Sequence, residues 1–234
     1  MRETQIQAAW HGMETCEKCA VRHLVLFADL TSEDFNAVHM PIEDLWLPPG
    51  CALFQEGQPA EALFTIRTGL VKLEQTLADG SYRIVSLLRQ GDVVGLEATV
   101  AKTYEHTAVA LLPSELCRLP REVVTKLTPK LNRQLIGKWH DMVQRSHQCA
   151  RELSSGSARQ RLARLFLLLA PPSVEHCRLF GREDVGALLA ITTETASRVV
   201  SDFKRRKVVT EITSNVFRRD IAVLQTIADG EPSG

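Results

Sequence analysis

The chain has 234 residues, 44% of them apolar, with 28 basic and 28 acidic side chains that leave no net charge. That apolar content suits one large or two small packed domains, and no run approaches the roughly 18 apolar residues of a membrane helix. The amino terminus has charges but no apolar signal core, so the reading is a soluble, cytoplasmic protein with no membrane partner.

The six cysteines, Cys16, Cys19, Cys51, Cys117, Cys149 and Cys177, read as buried thiols or metal ligands rather than a disulfide framework. Cys16 and Cys19 stand two residues apart in the polar stretch ETCEKCAVRHLV (14–25), a spacing that presents two thiolates to one metal centre. Two ligands do not make a site, and partners must come from elsewhere. Residues 1–25 are therefore taken as an amino-terminal Cys-containing segment.

Across residues 26–120, short apolar runs (CALFQ, EALFTI, LVKLEQTL, YRIVSLL, DVVGLEA, HTAVALL, ELCRLP) alternate with glycine-bearing turns such as RTG and ADGS. That spacing predicts short antiparallel strands forming a sandwich or jelly roll, the β part of an α+β fold. Between 121 and 153 the period changes. Leu135, Trp139, Met142, Ser146, Cys149 and Leu153 recur alternately four and three residues apart, as on a coiled-coil seam. The stripe could pack on its own domain; homodimerisation is the preferred expectation, because an exposed helix would leave it in water. Cys149 then serves as a small hydrophobe and Cys177 as a packing residue.

The remaining segment, 154–234, holds the charge asymmetry that the zero net charge conceals. From residue 155 onward there are 12 Lys and Arg against 9 Asp and Glu, concentrated in KRRK (204–207) and RR (218–219). The pattern predicts a helix in ARQRLARLFLLLA stopped by Pro171 and Pro172, then a helix in REDVGALLA. A turn at Ile191–Thr192 leads to a helix in TETASRVVSDFKRR, and VVTEIT and VFRRDI follow as a hairpin around Ser214 and Asn215. At 100° per residue Ala196, Val199, Val200 and Phe203 face inward, while Glu194, Ser197, Arg198, Ser201 and Arg205 face outward. A helix, a tight turn, a second helix with polar readers in its first turns and a basic hairpin together make a winged helix-turn-helix for double-stranded DNA. Glu194, Ser197 and Arg198 suit base edges; Thr193, Ser201, Lys204, Arg205, Arg206 and Arg218 suit phosphates.

In this order of roll, long helix and winged helix the chain resembles the CRP/FNR family of bacterial transcription regulators. Glu194, Ser197 and Arg198 in ETASR match the Glu-x-x-Ser-Arg of the FNR branch, and FQEGQ (54–58), FTIRTGLVKL (64–73) and GLEA (95–98) resemble the family's roll. The resemblance implies a TTGAT-type half-site read twice by a symmetric dimer, and contact with RNA polymerase. It also implies a [4Fe-4S] cluster on four cysteines. Cys16, Cys19 and Cys117 fall on three of those positions, whereas Val25 falls on the remaining one; His23 or Cys51 is the candidate substitute ligand. Haem is the second choice of cofactor, with His11, His23, His106 and Cys51 as candidates. Cyclic AMP is not expected: where that branch places an Arg-Ser pair for the phosphate, this chain has Tyr104, Glu105 and His106, and an acid repels the nucleotide. Glu97 remains in the roll.

The expected effectors are thus oxygen, redox state or a diatomic gas, with a haem or small-molecule effector, or no cofactor, as the alternative. Enzyme chemistry is not expected, since the chain lacks a nucleophile elbow, a His-Glu-x-x-His, a P-loop and a dinucleotide fingerprint. A regulatory module of the cyclic-nucleotide type that does not bind DNA is the rival from another class; it would need no exposed reader face.

Overall fold

The computed structural model describes residues 6–7 and 43–230. It divides into two compact units. One takes residues up to 76 and 85–144, the other 77–84 and 145 onward.

The first unit is built on antiparallel strands. β1 (Ile6–Gln7), β2 (Glu43–Leu47), β9 (Ser114–Pro120), β4 (Ala62–Thr68) and β7 (Val93–Val94) form one sheet in the spatial order β1-β2-β9-β4-β7. β3 (Ala52–Phe54), β8 (Thr107–Ala110), β5 (Leu70–Thr76) and β6 (Tyr82–Arg89) form a second, in the order β3-β8-β5-β6. Register places Leu45 opposite Leu116, and Leu116 opposite Ile66, so apolar side chains of three strands meet inside. Leu47, Leu63, Ile66, Leu88, Leu96, Leu116 and Leu119 are fully buried there. Gly69 joins β4 to β5 at φ 101, and a Cβ on it would stand 2.2 Å from Ser114 Oγ, so no other residue fits that turn. The expected jelly-roll strands are present; β1 and β2 add to them, and GLEA forms a short 3-10 helix, Leu96–Thr99.

Helix α1 (Arg121–Ser154) runs 34 residues, about 50 Å at 1.5 Å per residue. Leu135 belongs to the core of the roll, Trp139 and Met142 pack against that core, and Lys138 Nζ donates to Gly91 O at 2.9 Å. Of the expected seam residues, Leu135 is thus buried in the roll's core and Trp139 and Met142 bury part of their surface against it. Ser146 and Cys149 are half-buried and Leu153 is buried.

The second unit contains α2 (Ala158–Leu168), β10 (His176–Arg178), α3 (Arg182–Leu189), α4 (Thr193–Arg205), β11 (Val209–Thr213), β12 (Val216–Arg219) and α5 (Ile221–Asp229). Ser157 and Gln160 close a capping box at the start of α2. Phe166 on α2 meets Phe217 on β12 edge to face, with centroids 5.6 Å apart, and Phe203 on α4 at 6.2 Å. Around them Leu162, Leu165, Val185, Leu189, Ala196, Val200 and Leu224 close a second core. Two elements exceed the sequence reading. β10 adds a third strand in the order β10-β12-β11, and α5 follows the hairpin, N-capped by Asp220, whose side chain accepts from Val223 N.

Candidate nucleic-acid interface

The approach of α3 to α4 is set by close backbone packing. Ala190 ends α3 in the left-handed region at φ 53, and a Cβ on Gly186 would come within 2.7 Å of Ile191 O. Glycine at 186 therefore lets the turn fold back against α3. Thr192 caps the next helix, its hydroxyl accepting from Thr195 N at 3.2 Å.

Along α4, Ala196, Val200 and Phe203 are buried and Val199 is half-buried, as the wheel requires. Glu194, Arg198 and Ser201 are exposed and Ser197 is half-buried. Hydrogen bonds from its own backbone N–H and from the Thr192 hydroxyl hold the Glu194 carboxyl below its usual range, so it is an acceptor at neutral pH. Ser201 Oγ donates back to Ser197 O at 2.9 Å, leaving its lone pairs outward. No acid pairs with the exposed Arg198 among the described residues. The first turns thus present an acceptor, a hydroxyl and a guanidinium on one surface, the groups that meet cytosine, either base edge and guanine respectively.

The cations at the far end of α4 and in the hairpin are differently placed. Lys204 bonds Glu211 on β11 at 2.5 Å, and Arg205 and Arg206 bond Asp202 at 2.5 and 3.2 Å. Arg218 is exposed on β12, between His176 and Thr210 in register. It lines an open cleft of about 500 Å³ with Lys207, Glu175 and Asp220. Lys207 was not among the residues singled out from sequence, although it ends the KRRK run; its φ of 59 turns the chain from α4 into β11 beside Arg218. Arg219 points the other way. It is buried and donates to the carbonyls of Phe166, Ala170, Pro171 and Val174, closing the end of α2.

Residues 160–227 match the Crp-like helix-turn-helix domain, and residues 45–130 match the cyclic nucleotide-binding domain. The chain belongs to the CRP/FNR family. It is 27% identical over 230 residues to the transcriptional activator protein anr of Pseudomonas aeruginosa, covering 94% of each chain. It is 26% identical over 205 residues to the fumarate and nitrate reduction regulatory protein of Vibrio cholerae, covering 83% of this chain and 82% of that one. FixK2 from Bradyrhizobium japonicum shares its fold, with a TM-score of 0.71 at 21% identity over 80% of this chain and 98% of that one.

As a CRP/FNR protein the chain is a DNA-binding transcription regulator and not an enzyme. Members of the family bind DNA as dimers. No helix among the described residues is long and apolar enough to cross a membrane.

The sensor side of this CRP/FNR chain is described in part. Cys16, Cys19, His11 and His23 lie outside the described residues. Cys117 is half-buried on β9, its thiol 3.7 Å from Asp44 Oδ1. Cys51 precedes β3 of the other sheet and packs against the core. Among the described residues no three of His, Cys, Asp or Glu converge on a point that could hold a metal. The described residues do not by themselves form a metal site. Burial pushes the Cys177 thiol up to about 11, which suits its packing role.

Where the cyclic-AMP branch holds its phosphate, Tyr104 is buried and stacks on Phe54 with centroids 3.6 Å apart, its hydroxyl donating to Ala62 O at 2.7 Å. Glu105 is exposed and His106 half-buried. Glu97 is buried, and its Oε1 lacks a partner among the described residues.

Proposed function

We propose that the chain reads a TTGAT-type palindrome as a homodimer, with Glu194, Ser197 and Arg198 at base edges and Arg218 among the groups on phosphates. The observation that carries this reading is that the three side chains share the outward face of a capped helix, Glu194 and Arg198 exposed and Ser197 half-buried, whose other face is buried. Two such helices about one duplex turn apart, roughly 34 Å, match an inverted repeat. Thr193, Ser201, Lys204, Arg205 and Arg206 lie on or next to the same helix. The last three would reach phosphates only by sharing or exchanging their carboxylate partners.

The signal is oxygen, redox state or a diatomic gas. The chain resembles relatives named for anaerobic regulation and for fumarate and nitrate reduction, and its Tyr104 and Glu105 do not offer a nucleotide phosphate a cation. Cys16, Cys19 and Cys117 would hold an iron-sulfur cluster with His23 or Cys51 as the fourth ligand; a haem or other small effector in the roll is the second reading, favoured by the unpartnered carboxylate oxygen of Glu97. The regulator acts from the cytoplasm through contact with RNA polymerase. A change in packing along α1 need shift the dimer population by only a few kcal/mol to switch operator occupancy.

Gel-shift titration of a duplex carrying TTGAT and its inverted repeat tests the DNA reading. Arg198→Ala is expected to lower affinity about ten- to a hundredfold, and undiminished binding refutes the assignment. Anaerobic purification with iron and sulfide analysis tests the sensor. Brown colour lost in air and in Cys117→Ser supports a cluster, a Soret band supports haem, and a colourless chain that binds DNA fully disposes of both.

A further inference from the structure

Ser155, Gly156 and Ser157 join α1 to α2, and the connection is held rather than slack. Gly156 has φ 85, and a Cβ on it would stand 2.7 Å from Gln160 Oε1, the oxygen that accepts from Ser157 N at 2.8 Å. Glycine alone fits so close to the cap in that left-handed conformation.

One turn further along α2, Arg164 draws the ends of two other helices to one point. Its Nη1 donates to Glu152 O at 3.0 Å and to Ser155 O at 2.8 Å, where α1 runs out. Its Nε and Nη2 donate to Ala228 O at 3.0 and 2.7 Å, where α5 runs out. Carbonyls in the last turn of a helix have no partner within it, and the negative end of the helix dipole lies there. A guanidinium answers both needs, because its planar fork aims donors in several directions at once. Arg161, on the preceding turn, donates to Leu189 O at the end of α3. All of these groups belong to the second unit, so Arg164 ties the last turns of α1 to the body that carries α4.

We propose that Arg164 is a positioning residue for operator recognition: it fixes the angle at which α1 leaves the DNA-binding unit, and thereby the separation at which two copies of α4 meet DNA. The inference rests on the reading of the chain as a homodimer on an inverted repeat. With the end of α1 clamped, binding of one half-site presents the second α4 to the other at high effective concentration. With that end free to swivel, the two helices seldom stand at the operator's separation, although each still reads its own half-site.

Gel-shift titration of the full chain tests this with a duplex carrying one TTGAT, a duplex carrying its inverted repeat, and the same repeat with one base pair added to the spacer. Circular dichroism confirms the fold of each variant. Arg164→Met is expected to bind the inverted repeat about tenfold more weakly than wild type, to keep half-site affinity within about twofold, and to lose discrimination against the lengthened repeat. Arg164→Lys, which keeps the charge with fewer aimed donors, is expected to fall between the two. Arg161→Met is expected to weaken half-site and repeat by the same factor, since Leu189 ends the helix that precedes the reading turn. An Arg164→Met chain that loses affinity equally for all three duplexes, as a general loss of stability would produce, overturns the positioning role, and so does unchanged binding to the repeat. A wild-type chain that binds the repeat no better than the half-site overturns the homodimer reading itself.

Discussion

Lys204 Nζ lies 2.5 Å from Glu211 Oε2, an ion pair that ties the last turn of recognition helix α4 to strand β11 of the wing. A cation committed to a carboxylate releases fewer counterions from DNA than a free one, because its charge is already balanced. Arg218→Ala is therefore expected to reduce the slope of log affinity against log salt by about 1. Lys204→Ala is expected to leave the slope nearly unchanged. Titrations at several salt concentrations distinguish the two, and equal losses of slope would show that Lys204 exchanges its acid for a phosphate.

The same ion pairs make the wing acid-sensitive. The hydrogen bond from Lys204, then that from Asn215 N–H, holds the Glu211 carboxyl below its usual range. Burial pushes the Asp202 carboxyl up, but hydrogen bonds and charge from Arg205 and Arg206 outweigh it and hold it low. Carboxyls depressed in the folded state stabilise it fully above their unfolded pKa, near 4, and lose that contribution as pH falls through the folded values. Urea midpoints are expected to stay level from neutrality to about pH 5 and then fall, more shallowly in Glu211→Gln and Asp202→Asn.

Thr192 works at both ends of a short chain of bonds, capping α4 through Thr195 N and lowering the Glu194 pKa through its hydroxyl. Thr192→Val keeps the shape and removes both. It is expected to cost about 1 kcal/mol of stability, read by urea unfolding, and to return the Glu194 carboxyl toward its ordinary pKa, read by NMR titration. Glu194→Gln should leave the cap intact, with a stability change below about 0.5 kcal/mol, and affect DNA binding alone.

Arg219→Met strands four carbonyls at the end of α2 that the buried guanidinium now satisfies. The expected loss is about 3 kcal/mol in urea unfolding, with Arg219→Lys intermediate because an ammonium reaches fewer of the acceptors. A loss below about 1 kcal/mol would mean that water replaces the guanidinium there.

Much of the fold was legible locally. The turn glycines and short apolar runs announced the roll, and the four-residue phase of Ala196, Val200 and Phe203 fixed which face of α4 looks outward. The final helix, too, has a local signal: Asp220 caps an apolar run whose Leu224, Ile227 and Ala228 are buried at helical spacing. β10 had no such signal, because HCR is too short for any period to register and becomes a strand only by pairing with Val216–Arg218. Composition counts the adjacent arginines alike, yet Arg218 is exposed and Arg219 buried, since successive residues of a strand face opposite sides.

What the sequence alone determined are the properties carried by neighbours along the chain: the strand-and-turn rhythm, the two helices of the helix-turn-helix with their cap, and which side of α4 carries Glu194 and Arg198. What only the tertiary structure decided is which partner each surface meets. Nothing in the spacing of Leu135, Trp139 and Met142 on α1 distinguishes a seam for a second copy from a seat on the roll. Amphipathic spacing says that a face must be buried without naming the surface that buries it, and the choice falls to whichever apolar surface the rest of the chain brings within reach.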